Sequence, residues 1–295
     1  SGEGTVRMML EEQVNFNVIN RMDDWSELEA IVIPSESKLN PELVIRLQSF
    51  VDRGGKLLIL GQAVLNPQDH SPWFDIGADY VGKANYDVDY TVVSDKLEGE
   101  LVQSPFLNYS AALQFKTHEG TEVLAAIKEP YFSRTRSHFC SHRNTPNQLV
   151  NADHPAIIRH GNIVYVAHAL DLMYVHMGAR VHRDIFNSAL NLVHERPMVK
   201  ADLQSSGRIN LLHQPDKSRY VLHLLYATPI QRGEAQVIEE LIPIYNTEVD
   251  IDLPVKVKKA YTSPGNREVK LEYSGDVARA LISEFTAHIA LVLEY

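Results

Sequence analysis

A single cysteine, Cys140, stands in 295 residues. An intrachain disulfide is therefore excluded, and each domain has to stand on its apolar core. No apolar run approaches the length of about 18 residues that a membrane-spanning helix needs. Basic runs are missing too: 28 Lys and Arg face 38 Asp and Glu, for a formal net charge of -10. That balance argues against a nucleic-acid surface. No signal peptide opens the sequence, so the cytoplasm is the expected compartment. What remains is an ordinary globular composition, 44% hydrophobic and 22% charged, at a length that favours two domains.

The most legible stretch runs from Leu28 to Gly61. Ala30-Ile31-Val32-Ile33, stopped by Pro34, has the pattern of a strand buried on both faces. Asn40 supplies an N-cap and Pro41 the first helical position. Leu43, Val44, Leu47, Phe50 and Val51 form one apolar stripe at helical spacing, and Gly54-Gly55 ends the helix. Leu57 to Leu60 is a second buried strand. A crossover of this length joins parallel strands, so the first domain is expected to be α/β, a flavodoxin-like layer.

Upstream, Val6 to Glu12 is helical and Phe16 to Ile19 reads as a short strand. A helix so close to the start, after the linker-like Ser1-Gly2-Glu3-Gly4, suggests a fragment of a longer protein. Downstream, the alternation in Tyr86 to Val93 suggests a half-buried antiparallel strand, and Leu113 to Phe115 and Glu122 to Ile127 add two more. These make an antiparallel extension of the parallel layer. Pro155 to Arg159 and Gly161 to Ala167 read as a hairpin, followed by a helix over about Val181 to Glu195. Beyond Pro197 the texture changes to short strands separated by turn chemistry. They include 207–212, 220–226, 249–253, 255–257, 268–272 and 288–293, which together imply a β-sandwich. The expected domains are 1–198 and 199–295.

Chemistry is sparse. A nucleophile elbow needs Ser or Cys on a strand-to-helix turn, but the turn after the second strand is Gly61-Gln62-Ala63-Val64. Pro130 to Pro146 is the densest polar and aromatic segment, with three readings. His138, Cys140 and His142 alternate and would share one side of an extended chain, which suits a metal. They also suit a buried thiol with hydrogen-bonding imidazoles. Finally, Phe132, Arg134, Arg136, Phe139 and Arg143, with His138 and His142, could stack on and hydrogen-bond a sugar or carboxylate. His168 and Asp171 follow the central strand, where open sheets place ligands. They could orient a base, or could simply cap a helix. Asp250, Asp252, Glu239 and Glu240 read as solvated faces.

Taken together, several segments carry a resemblance. FNVIN, DDWSELEAIVIP and NPELVIRLQSFVDRGGKLLILG, with the later GNIVYVAHALDLMYVHMGARVHRDIFNSALNLV, resemble the β-galactosidase trimerisation domain, a class I glutamine-amidotransferase-like module. The tail RYVLHLLYATPIQRG to VKKAYTSPGNREVKLEY is similar to the C-terminal β-sandwich of bacterial glycoside hydrolases. PYFSRTRSHFCSHRNTP resembles a segment of uncharacterised glycosidases that join this module to an upstream barrel. The resemblance implies a non-catalytic accessory and oligomerisation region, whose catalytic carboxylates sit on a (β/α)₈ barrel outside this chain. No cofactor is expected, and the resemblance implies as partners a second copy (a trimer in such enzymes), the barrel and a carbohydrate. In such β-galactosidases the module can complete a neighbouring active site, a role open here to the 131–143 loop. Amidotransferase relatives carry Cys at the elbow, and this sequence departs from them at Gly61-Gln62-Ala63. The alternatives are a stand-alone α/β hydrolase, or a small-ligand sensor using the 131–143 loop with His168 and Asp171.

Overall fold

The computed structural model describes residues 2–141 and 144–295. Helix α1 covers Gly2–Glu11, strand β1 Ala30–Ile33, helix α2 Pro41–Asp52 and strand β2 Lys56–Leu60. Local chemistry sets the limits of α2. The Asn40 side chain accepts from the Leu43 amide, Pro41 takes the first turn, and Gly54 lies beyond the end at φ +95°, a value that favours a residue without Cβ. Gly55 is required by packing, because a Cβ there would lie 2.4 Å from the Phe50 ring. Leu47 and Phe50 face the core, and β1 pairs with β2 in parallel, Ala30 opposite Lys56 and Ile33 opposite Ile59. β1 itself alternates between buried and half-buried residues. It forms the sheet edge, so the expectation of burial on both faces fails there.

Next come β3 (Ala78–Gly82), β4 (Asp89–Val93), β5 (Phe106–Asn108), β6 (Gln114–Thr117), β7 (Glu122–Lys128), β8 (Pro155–His160) and β9 (Ile163–Val166). Two helices follow, α3 (Leu170–Met177) and α4 (Arg180–Asn191). Seven strands form one sheet in the order β1-β2-β9-β8-β7-β4-β5. Only β1, β2 and β9 run parallel, and every pair from β9 outward to β5 is antiparallel. The change happens where the helical crossover gives way to a tight turn: β8 and β9 are joined at Gly161, with φ +54°. β3 and β6 make a separate ribbon. Phe16 to Ile19, expected as a strand, is irregular.

The remaining strands are β10 (Val199–Ala201), β11 (Gly207–Gln214), β12 (Arg219–Tyr226), β13 (Ile230–Arg232), β14 (Ala235–Val237), β15 (Ile244–Ile251), β16 (Lys259–Ser263), β17 (Leu271–Ser274), β18 (Val277–Phe285) and β19 (His288–Glu294). Two four-stranded antiparallel sheets, β10-β15-β18-β17 and β11-β12-β19-β16, share one apolar core. Val249, Ile251, Ala280 and Ile282 enter it from one sheet, Leu222, Leu224, Leu291 and Leu293 from the other. Residues 255–257 form no strand, and β18, the longest, has no counterpart in the sequence reading. By contact the chain divides into two units, one holding the residues up to Met8 with Ile19–Glu195, the other Met9–Val18 with Arg196–Tyr295. The fold is thus mixed α/β, rich in sheet and poor in helix. Among the described residues no helix is long and apolar enough to cross a membrane.

Candidate functional site

The polar groups of the first unit gather in two buried networks and one open cleft. His168 and Asp171 leave the end of β9 together, yet they enter different networks. Asp171, in the first turn of α3 and fully buried, takes hydrogen bonds from the Ser35 amide (2.9 Å) and hydroxyl (2.5 Å), from Thr5 Oγ1 (3.2 Å) and from the Leu172 amide (2.9 Å). Four donors satisfy a carboxylate well away from water. α1 comes close enough for this because Gly4 has no side chain: a Cβ would sit 2.0 Å from the Asp171 carbonyl oxygen.

His168 points elsewhere. Its Nε2 lies 2.8 and 3.0 Å from the two carboxylate oxygens of Asp89 at the start of β4. The Ala112 amide donates to Asp89 at 2.8 Å. Asn108 bridges Asp89 (2.9 Å) and Thr91 (2.8 Å). Burial opposes ionisation of Asp89, but the opposing His168 and the donors from Ala112 and Asn108 outweigh it and hold the carboxyl below its ordinary range. Proximity in sequence pairs His168 with Asp171. The structure corrects that pairing to Asp89, 79 positions away in the chain.

Two further histidines stand in the field of this pair. His154 lies 3.9 Å from Glu129; burial lowers its pKa against the pull of Glu129 and Asp89. His182, on α4, is 1% exposed, and neither ring nitrogen has a hydrogen-bond partner. Burial, with His168 nearby, lowers its pKa to about 4. The Asn108 Oδ1 is likewise buried without a partner.

The cleft, about 640 Å³, is lined by Asp87 and Val88 before β4, by Tyr109 after β5, and by residues of the 130–145 segment, including Phe132, Arg134, Arg136 and Phe139. Its base is anchored. Tyr90 donates to the Thr145 carbonyl at 2.6 Å, and Thr145 Oγ1 donates to the Phe132 carbonyl at 2.8 Å. Above this base, the Arg134 guanidinium lies over the Phe139 ring at 4.6 Å, and the Phe132 and His138 rings are 5.8 Å apart. Phe132, Arg134, Arg136, His138 and Phe139 are thus brought together on one loop, while His168 and Asp171 belong to the interior. His142 and Arg143 lie outside the described residues, and with them the full His138, Cys140, His142 alternation. Among the described residues no group of three or more His, Cys, Asp or Glu side chains is placed to hold a metal ion.

Sequence reasoning missed Asp89, Ser35, Thr5 and His182. For Asp89 a signal existed: the two-residue period of Tyr86 to Val93 places Asp89, Thr91 and Val93 on one face, and that face is buried.

No family model matches the chain, and no curated protein does. Among solved structures it is similar to α-L-fucosidase isoenzyme 2 from Paenibacillus thiaminolyticus, with a TM-score of 0.93 and 28% identity over 99% of this chain and 44% of that one. Far weaker likenesses are to the exo-β-1,4-mannosidase Op5Man5 from Opitutaceae bacterium strain TAV5 (TM-score 0.36, 15% identity, 58% of this chain and 26% of that) and to a ThuA-like protein from Bacteroides uniformis (TM-score 0.38, 14% identity, 58% and 71%). At those TM-scores the latter two carry no weight. The chain spans less than half the length of the fucosidase, and it is related in structure to that part of a glycoside hydrolase.

Proposed function

We propose that this chain serves as a non-catalytic accessory and oligomerisation region of a glycoside hydrolase, with an amidotransferase-like domain over 1–198 and a β-sandwich over 199–295. The observation that carries the reading is the likeness of almost the whole chain to under half of a fucosidase. The remainder of such an enzyme has room for a catalytic barrel, the proposed partner of this region alongside further copies of the chain. The interior supports the same reading. The turn after β2 is a short 3₁₀ segment, Gly61–Val64, without a nucleophile. His168 is 2% exposed and held on Asp89, so it cannot meet a substrate without breaking a buried pair. Contact with carbohydrate is assigned to the open cleft, where aromatic faces stand beside hydrogen-bonding side chains.

The test is turnover of p-nitrophenyl α-L-fucopyranoside by the isolated chain, with light scattering on the same sample. No turnover and a defined oligomer are expected. Hydrolysis abolished by His168→Ala or Cys140→Ala would overturn the proposal in favour of a self-contained enzyme.

A further inference from the structure

We infer that the cleft is built for an acidic saccharide, one bearing a carboxylate or a sulfate ester, rather than for a neutral sugar. The inference rests on reading the cleft as a carbohydrate site and adds the chemical class of the ligand. Its basis is an imbalance of charge. In a chain of net charge -10, arginines are readily matched by carboxylates, and the structure does so repeatedly: Arg180 with Asp184, Arg196 with Asp252, Arg232 with Glu239 and Arg279 with Asp250. Among the described residues Arg53 and Arg267 are left without such a partner, and so are Arg134 and Arg136, which stand together in one cleft. The latter two are exposed and line the cleft, and among the described residues neither has a carboxylate within salt-bridge distance.

Arg134 is also oriented. Its guanidinium carbon lies 4.6 Å from the centre of the Phe139 ring, a cation–π contact that leaves the N–H donors to bond a ligand. Planar N–H forks match the oxygens of a carboxylate or sulfate, and charge-assisted bonds of this kind are roughly twice as strong as neutral ones. A neutral sugar offers only hydroxyls to such a pair and leaves both charges uncompensated while removing water from them. The remaining lining fits a saccharide rather than a bare anion. Phe132 and Tyr109 supply apolar faces for the C–H side of a pyranose, and Asp87 supplies an acceptor for hydroxyls. A volume of about 640 Å³ falls in the range of small-ligand sites. Because Tyr90 and Thr145 fix the base of the loop, the arginines are presented from a firm support.

Calorimetric titration of the 295-residue chain tests this with four probes: digalacturonic acid, a sulfated fucose disaccharide, the same disaccharide after desulfation, and inorganic sulfate. One of the two acidic sugars should bind at least about tenfold more tightly than the desulfated disaccharide, the preferred one telling carboxylate from sulfate. Arg134→Gln with Arg136→Gln should remove that advantage, and the circular dichroism spectrum should not change, since both side chains are exposed. Equal binding of the sulfated and desulfated disaccharides, with none tighter for digalacturonic acid, would overturn the acidic assignment and leave a carbohydrate site standing. Inorganic sulfate binding as tightly as the sulfated sugar would overturn both, as would binding of none of the four.

Discussion

His182 offers the sharpest test of the interior, because its environment sets a window of pH. The folded chain holds this imidazole neutral down to about pH 4, whereas an unperturbed one titrates near 6.5. Between those values the unfolded chain takes up a proton that the folded chain refuses, so acid favours unfolding. A separation of roughly 2.5 pH units, at about 1.4 kcal/mol each, corresponds to about 3 kcal/mol when the window has been crossed. His154, also lowered, acts in the same direction. Asp89 acts later: its depressed pKa stabilises the fold above the ordinary carboxylate range, and that contribution disappears as pH falls through its lower folded value. His182→Leu isolates the single residue, and since neither ring nitrogen has a partner the change removes no hydrogen bond. Urea unfolding is followed by the fluorescence of Trp25 and Trp73, both of the first unit. The variant should match the wild type at neutral pH to within about 1 kcal/mol and exceed it by about 2–3 kcal/mol near pH 4.5. Identical acid slopes for the two proteins would refute the reasoning, because they would mean that the folded imidazole protonates as readily as an unfolded one.

Other substitutions probe the remaining networks. Asp89→Asn replaces the buried carboxylate that holds the His168 ring and takes the Ala112 amide and should cost about 1–3 kcal/mol, read as a lower urea midpoint; an unchanged midpoint would contradict the buried network. Leu47→Ala, at a site 3% exposed under α2, should cost about 2–5 kcal/mol in the same assay, and a loss below about half a kcal/mol would mean that α2 does not pack as described. Gly4→Ala places a methyl against the Asp171 carbonyl and should lower stability by about 1–3 kcal/mol, with faster amide exchange at Ser35 and Leu172; unchanged exchange would place α1 farther from α3.

Elements defined by neighbours in sequence were legible. Asn40, Pro41 and Gly54 mark α2 without help from the rest of the chain, and the β8–β9 hairpin announces itself through Gly161. Elements defined from a distance were not. β18 reads Val-Ala-Arg-Ala-Leu-Ile-Ser-Glu-Phe, rich in good helix formers, yet it is a strand because Ala278, Ala280 and Ile282 fill the core shared with the facing sheet. Tertiary packing overrides propensity there. Phe16 to Ile19 errs the other way: it has the composition of a strand and forms none. The site follows the same rule. The aromatic and arginine-rich loop is contiguous and was visible at once. Most partners of Asp89 and Asp171, among them His168, Ala112, Ser35 and Thr5, lie far from them in the chain, and no spacing encodes them.

The parallel strands β1, β2 and β9 end together, delivering Ser35, Gly61 and His168 to one edge. In an open sheet that edge is the crevice where a ligand sits. Here it is occupied from within: Tyr165 donates to the Gly61 carbonyl at 3.2 Å, a Cβ on Gly61 would lie 2.9 Å from that of Ser35 and 3.4 Å from Ala169, and Thr5 completes the set around Asp171. Such a closure acts as a ratchet. To reopen the crevice, several buried donors and acceptors must lose their partners at once, each at a cost of about 1–3 kcal/mol, before any substrate could enter to compensate. Single substitutions therefore lead downhill in stability without reaching a catalytic pocket. New chemistry in this chain has its shorter path through the loop rim, where side chains can change without unpairing anything beneath them.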